Sequence, residues 1–175
     1  AALAAAPAMA ESTAWAALDR PGHAALIRHA RAPGTGDPAG FTLGDCSTQR
    51  NLDDRGREQA RALGRRLRAH GIDGRPVYTS HWCRARETAE LLGAGPVREL
   101  AGLNSFFGDR FTEAEIMPQL RRFLRAGSLD PPPLLVTHQV NITALTGTYA
   151  REGEIIVVRV QAGGTTRVVG RIAPP

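Results

Sequence analysis

A three-layer α/β/α fold, with a mainly parallel central sheet flanked by helices on both faces, is predicted by three features of this sequence. Short extended runs at residues 23–28, 76–79 and 134–137 each stop abruptly at polar side chains. Segments with apolar residues at helical spacing lie between them. The chain closes with two more extended runs, 154–160 and 166–172, turned at Gly163-Gly164. Strands that alternate with helices pair in parallel and are covered on both faces. A chain of 175 residues suits a single domain with a full core, taken here as residues 11–175.

The elements follow in order. Residues 12–18 read as a short helix over the sheet, broken at Pro21-Gly22. The first strand has an apolar run at 24–27 that ends in Arg28-His29-Ala30-Arg31. A loop rich in Gly, Pro, Asp and Thr, residues 32–45, comes directly after it and is placed to line any site at the strand end. A helix capped by Asp53 or Asp54 runs to about His70, with Gly71 as its stop; Ala60, Leu63, Gly64 and Leu67 form its buried face. The second strand leads into Ser80-His81-Trp82-Cys83-Arg84, then a helix that turns Ala85, Thr88, Ala89 and Leu92 inward and closes at Gly93. Residues 97–103 are extended and reach the loop 104–110. Thr112 with Glu115 three residues on reads as a capping box for a helix to about Arg125, which Pro118 is expected to kink or shorten. Three prolines, 131–133, stiffen the entry to the run 134–137. His138 follows that run, then a short helix over 139–146 ended by Gly147.

Composition narrows the function classes. All 22 basic residues are arginine, and against 17 acidic residues they give a net charge of +5. They are dense only on the helix with Arg55, Arg57, Arg61, Arg65, Arg66 and Arg68, and aromatic residues are scarce. A nucleic-acid binder would show a basic stripe interleaved with aromatics, so none is expected as a partner. No apolar run approaches the roughly 18 residues that span a membrane. The first ten residues, AALAAAPAMA, end in an Ala-x-Ala pattern (Ala8, Met9, Ala10) before Glu11, like the end of a secretory signal peptide. Residues 1–10 are thus read as a signal remnant or a disordered leader, and the protein as periplasmic or secreted. In that setting Cys46 and Cys83 can pair; as two free, partly buried thiols they are equally well accommodated. Neither cysteine has CxxC or CxxH spacing, so no metal site is expected.

Polar residues at the carboxyl ends of parallel strands mark an active site. Arg28, His29 and Arg31 occupy one such end, Ser80 to Arg84 a second, and His138 a third. Arginine offers phosphate a planar fork of donors, and histidine can carry a covalent intermediate. The local chemistry is that of a phosphorylated substrate.

Four segments carry a family resemblance: LIRHARAPG (26–34), RNLDDRGREQA (50–60), YTSHWCRARETA (78–89) and LLVTHQVNI (134–142). Together, and in this order, the chain resembles the histidine phosphatase superfamily with its phosphoglycerate mutase-like fold, in the short phosphatase branch. Ala30 and Gln139 stand where the family commonly has Gly. The resemblance implies that His29 is the nucleophile and that Arg28, Arg84 and His138 form the phosphate pocket. It implies no cofactor. Arg31 fits an outer contact, Asn51 or Ser80 could add hydrogen bonds, and Gln139 adjoins the substrate. The family's usual acid would align with Ser105, so the proton donor is missing from its place. Asp109 is the expected replacement, Glu99 the other candidate, and a mechanism with no acid the third option. The implied activity is a metal-independent phosphatase for a phosphorylated small molecule or glycan. A protein phosphohistidine phosphatase and a phosphate-binding module without turnover are the alternatives. Oligomeric state is not legible.

Overall fold

The computed structural model describes residues 7–127 and 129–175, with side chains from residue 10 onward. Its strands are β1 (His23–Arg28), β2 (Val77–Thr79), β3 (Val97–Glu99), β4 (Leu134–Thr137), β5 (Ile155–Val160) and β6 (Thr166–Ile172). They form one sheet in the order β3-β2-β4-β1-β5-β6. The first four strands are mutually parallel; β5 and β6 are antiparallel, as the closing hairpin requires. The fold is the predicted three-layer α/β/α sandwich.

The pleat sorts the strand side chains. On one face Ala25, Ile27, Leu134, Val136, Ile155 and Val157 pack against α1 (Pro7–Ala17), α2 (Asp54–Ala69) and α3 (Cys83–Leu92). On the other, Ala24, Leu26, Leu135, Ile156 and Val158 pack against α4 (Glu113–Ala126) and α5 (Gln139–Thr146). A strand buried on both faces reads as an unbroken apolar run, which is why β1 and β4 stand out in the sequence. Burying two such layers removes most apolar side chains from water, the main favourable term in folding.

Several local expectations change. The first helix begins at Pro7 rather than Ser12, so it runs back into the stretch assigned to a leader; residues 1–6 of that stretch lie outside the described residues. Asp53, not Asp54, caps α2, accepting from Gly56 N–H at 2.7 Å. Only 97–99 of the extended run 97–103 are strand; residues 101–103 turn as a 3-10 helix. The capping box does not form, because Thr112 has helical backbone angles and its hydroxyl donates to the Asp109 carbonyl. A 3-10 turn capped by Asp109 leads into α4 instead, and α4 continues through Pro118 for 14 residues.

Gly56 has a positional reason. A Cβ there would lie 2.0 Å from the carbonyl oxygen of Arg31. The start of α2 therefore docks directly on the residues that follow β1.

Candidate active site

Three strand ends converge as the topology requires. β1 and β4 are paired neighbours, with Arg28 opposite Thr137, so His29 and His138 leave the sheet side by side. Their ring centroids are 5.4 Å apart. The backbone here is pinned. The His29 amide donates to the Thr137 carbonyl at 3.0 Å, and Gly153 N–H donates to the carbonyls of Arg28 and His29.

His29 is buried, with its Nδ1 2.8 Å from the Ala30 carbonyl. A carbonyl only accepts, so Nδ1 carries the proton and Nε2 keeps its lone pair. Burial pushes the imidazole pKa well below its ordinary value; the charges of Arg84, Arg28 and Arg50 push the same way, against the Ala30 bond. The result is a neutral imidazole locked in the tautomer that can attack. Ala30 replaces the family's glycine without strain, since among the described residues no residue other than Gly has a positive φ. Its amide donates to Thr88, whose hydroxyl donates to the Arg84 carbonyl, tying the β1 end to α3.

His138 bonds to Ser80 Oγ through Nε2 at 2.8 Å, while Ser80 also accepts from the Trp82 amide. Burial, followed by the charges of His29, Arg84, Arg50 and Arg28, holds its pKa well below the ordinary value. The Ser80 hydroxyl has no other acceptor among the described residues, so it donates to Nε2 and the ring proton sits on Nδ1.

Arg84 rises from the first turn of α3 and is 3% exposed. Its Nη1 and Nη2 donate to Asp37 at 2.8 and 3.2 Å. Arg28 donates to the Tyr149 hydroxyl and the Ala150 carbonyl, and its other Nη is 3.8 Å from Glu152. Arg50 adds a third guanidinium, held by the carbonyls of Gly36 and Ala32. Burial, followed by the charge of Arg84, lowers its pKa.

One observation bears on what this cleft can bind. Among the described residues, four buried side-chain polar atoms have no hydrogen-bond partner: Arg28 Nε, Arg84 Nε, His138 Nδ1 and Asn141 Oδ1. Three of the four are donors on residues that line one cleft with His29. An unpaired buried donor costs roughly 1–3 kcal/mol, more when charged. Three donors left without protein partners beside a neutral imidazole suit an oxyanion ligand.

The remaining predicted residues divide. Gln139 lines the cleft, with its amide held by Thr143. Ser105 lines it too. Ser80 sits behind His138 and orients it. Arg31 pairs with Asp53 at 2.8 Å on the outer surface. Asn51 turns away and donates to the Cys46 carbonyl. Asp109 is exposed, spent on capping the turn through Phe111 N–H, and does not line the cleft. Glu99 pairs with His81 and Arg86 on the sheet edge. Neither candidate acid is brought to His29. Asp37, Arg50, Tyr149 and Glu152 carry no role in the sequence reading. The loop holding Asp37 is expected to line the site, but nothing in its sequence marks one carboxylate for burial.

The model of the histidine phosphatase superfamily (branch 1) matches residues 25–133, well over half the chain. The chain belongs to the histidine phosphatase superfamily. Its fold is similar to that of the protein histidine phosphatase SixA complexed with tungstate, with a TM-score of 0.58 at 18% identity over 87% of this chain and 97% of that one. A putative phosphohistidine phosphatase SixA from Agrobacterium tumefaciens gives 0.58 at 15% identity, over 88% of this chain and 98% of that one. At such identities the likeness is one of fold. The mitochondrial serine/threonine-protein phosphatase Pgam5 of Drosophila grimshawi is 37% identical over 70 residues, or 40% of this chain. That match covers 22% of the relative's length. Within the superfamily fold, this chain sets His29, Arg28, Arg84, His138 and Ser105 in one cleft.

Proposed function

We propose that the protein is an extracytoplasmic phosphatase that accepts a phosphoryl group on His29 Nε2 and releases it to water. The three unpartnered donors beside His29 carry this reading. In the first step Nε2 bonds to phosphorus as the bond to the leaving group breaks, and the leaving group departs with the electron pair. Arg28, Arg84 and His138 hold the three equatorial oxygens, where charge is greatest. In the second step water attacks phosphohistidine, and inorganic phosphate leaves with His29 restored.

The substrate class follows from the missing acid. Among the described residues lining the cleft there is no carboxylate. Asp37, just behind it, is engaged by Arg84, Trp82 and the Arg50 amide. A leaving group that departs without a proton from the protein suits this cleft: a phosphohistidine, or an acyl or anhydride phosphate. A sugar or alkyl monoester needs its proton from solvent. Three guanidiniums supply the positive charge a phosphoryl group needs, so a chelator is expected to leave the rate unchanged.

The compartment is part of the proposal. Cys46 and Cys83 form a disulfide, which persists in oxidising surroundings and agrees with the signal-like leader. No helix of the described residues is long and apolar enough to cross a membrane.

A leaving-group series tests the reading. Turnover of acetyl phosphate, phosphoramidate, p-nitrophenyl phosphate and an alkyl phosphate is measured with and without chelator, beside His29→Ala. Rates that fall steeply as the leaving group becomes more basic support the reading. An alkyl phosphate cleaved as fast as acetyl phosphate refutes the acid-free cleft and favours a sugar phosphatase. Vanadate binding without turnover makes the chain a phosphate-binding module.

A further inference from the structure

Asp37 is held by more hydrogen bonds than its place in a loop would suggest. Its two oxygens accept from Arg84 Nη1 at 2.8 Å, Arg84 Nη2 at 3.2 Å, the Trp82 indole at 2.9 Å and the Arg50 amide at 3.0 Å. The side chain is 8% exposed. Burial opposes its ionisation, but the bonds and charge of Arg84, then the Arg50 amide and Trp82 indole, outweigh it and hold the carboxyl below its usual range. Asp37 is therefore an anion with its lone pairs occupied, unfit to donate a proton. It does not line the cleft itself. Gly36, with φ +71, makes the turn that delivers it.

We propose that Asp37 is a positioning residue that occupies the Nη–Nη edge of Arg84 and so turns the Nε–Nη edge of that guanidinium to the phosphoryl group. The inference rests on the phosphatase reading of the cleft and adds a residue to it.

Two arguments carry it. The first is geometric. A guanidinium binds oxyanions along its Nη–Nη edge or its Nε–Nη edge. Asp37 takes the first edge of Arg84, and the Nε left over is buried without a partner. Only the second edge remains for substrate. Without Asp37 the fork could rotate and offer either. The second is charge. Arg84 is buried, and Asp37 is the carboxylate that pairs with it. Glu152, 28% exposed at the rim between Arg28 and Arg50, is the other acid near this cluster.

A double-mutant cycle tests the proposal. Asp37→Asn keeps the size of the side chain but removes the charge and turns one acceptor into a donor facing Arg84 and Trp82. On p-nitrophenyl phosphate its kcat is expected to fall about a hundredfold, the cost of a misplaced clamp, with KM moving severalfold at most. Vanadate, which mimics the transition state, should bind at least tenfold more weakly. In an Arg84→Lys background, where no fork exists to orient, the same change should alter kcat less than threefold. Three results overturn the proposal: kcat of Asp37→Asn within threefold of wild type; a rise in kcat, which would make Asp37 a competitor for Arg84; or an equal loss in the Arg84→Lys background, which would make it structural. Should Asp37→Asn not fold, Asp37→Glu keeps the charge and displaces the fork by one methylene; a wild-type kcat there also overturns the proposal, as does failure of both variants to fold. Absence of His29-dependent turnover in the wild type defeats the phosphatase reading instead, and the vanadate comparison still reads the placement of Arg84.

Discussion

Two regions build the cleft around His29, and they are held by different means. One is the sheet corner, where Arg28, His29 and His138 leave β1 and β4. The other is the strap, residues 32–52, which crosses the cleft and carries Asp37 and Arg50. The corner owes its geometry to ladder bonds between strands buried on both faces. The strap has no regular element beyond one 3-10 turn, Cys46–Thr48. It is fastened by cross-links: the disulfide to Cys83, Gln49 accepting from the Cys83 amide and donating to the carbonyls of Thr42 and Leu43, and Arg50 reaching back to Gly36 and Ala32. Both regions line the same cleft. In the proposed reading the corner supplies the nucleophile, and the strap sets which edge of Arg84 meets the phosphoryl group.

The comparison breaks most visibly at the nucleophile. His29→Ala removes the proposed phosphoryl acceptor, and turnover is expected to fall by about ten-thousandfold or more. The fold should persist, since the ladder around it is made by the backbone. Steady-state kinetics on p-nitrophenyl phosphate, with circular dichroism as control, measures both. A loss below tenfold would move the nucleophile elsewhere.

Cutting the disulfide attacks the strap instead. It closes a segment of sequence separation 37, for which the chain-entropy model gives about 4 kcal/mol of stabilisation. Cys46→Ser with Cys83→Ser should lower stability by an amount of that order in urea. It should also weaken vanadate binding, because the bond fixes the strap beside Arg84. Unchanged vanadate affinity in a folded double variant would show that the polar cross-links suffice.

The corner is legible in the sequence and the strap is not, for a physical reason. Apolar runs that stop at Arg28-His29 and His138 declare a buried parallel strand and its polar end in a few consecutive residues. The helix capped at Asp53 and stopped at Gly71 is equally local. Asp37 is a loop aspartate like Asp45, which stays exposed and bonds to Ser47. What separates them is that Arg84, Trp82 and the Arg50 amide arrive around Asp37 only once the chain is folded. Asp109 fails the same way in reverse. Its place near the missing acid suggests chemistry, while its own turn claims its oxygen.

Acid separates the two regions by pH. His29 and His138 have folded pKa values below the ordinary 6.5. As pH falls through 6.5 the unfolded chain takes up protons that the folded one refuses, so stability drops from there toward the folded values and then levels. Asp37 has a folded pKa below the ordinary 3.8. Its contribution is complete above 3.8 and is lost only as pH falls through the folded value. Melting curves from about pH 7 to 5 should therefore report the corner, and from about pH 4 downward the strap, together with other paired carboxylates such as Glu154. His29→Asn with His138→Asn should flatten the first window and leave the second. A first window that survives in that variant would assign it to other groups.

The smallest expected effect belongs to neither region. Asp109→Asn leaves the cleft untouched, because the carboxylate is exposed, lies outside the cleft lining, and accepts from Phe111 N–H at 3.0 Å. Asparagine caps almost as well as aspartate, so Tm should fall by no more than about 2–4 °C. On an alkyl phosphate, whose leaving group most needs a proton, kcat should stay within twofold of wild type. A tenfold loss confined to that substrate, with acetyl phosphate unaffected, would mean that the turn opens in the working enzyme and delivers Asp109 to the leaving oxygen. Such a result would place the acid on the loop rather than in solvent, and would extend the substrate range to the monoesters that the cleft as it stands serves least.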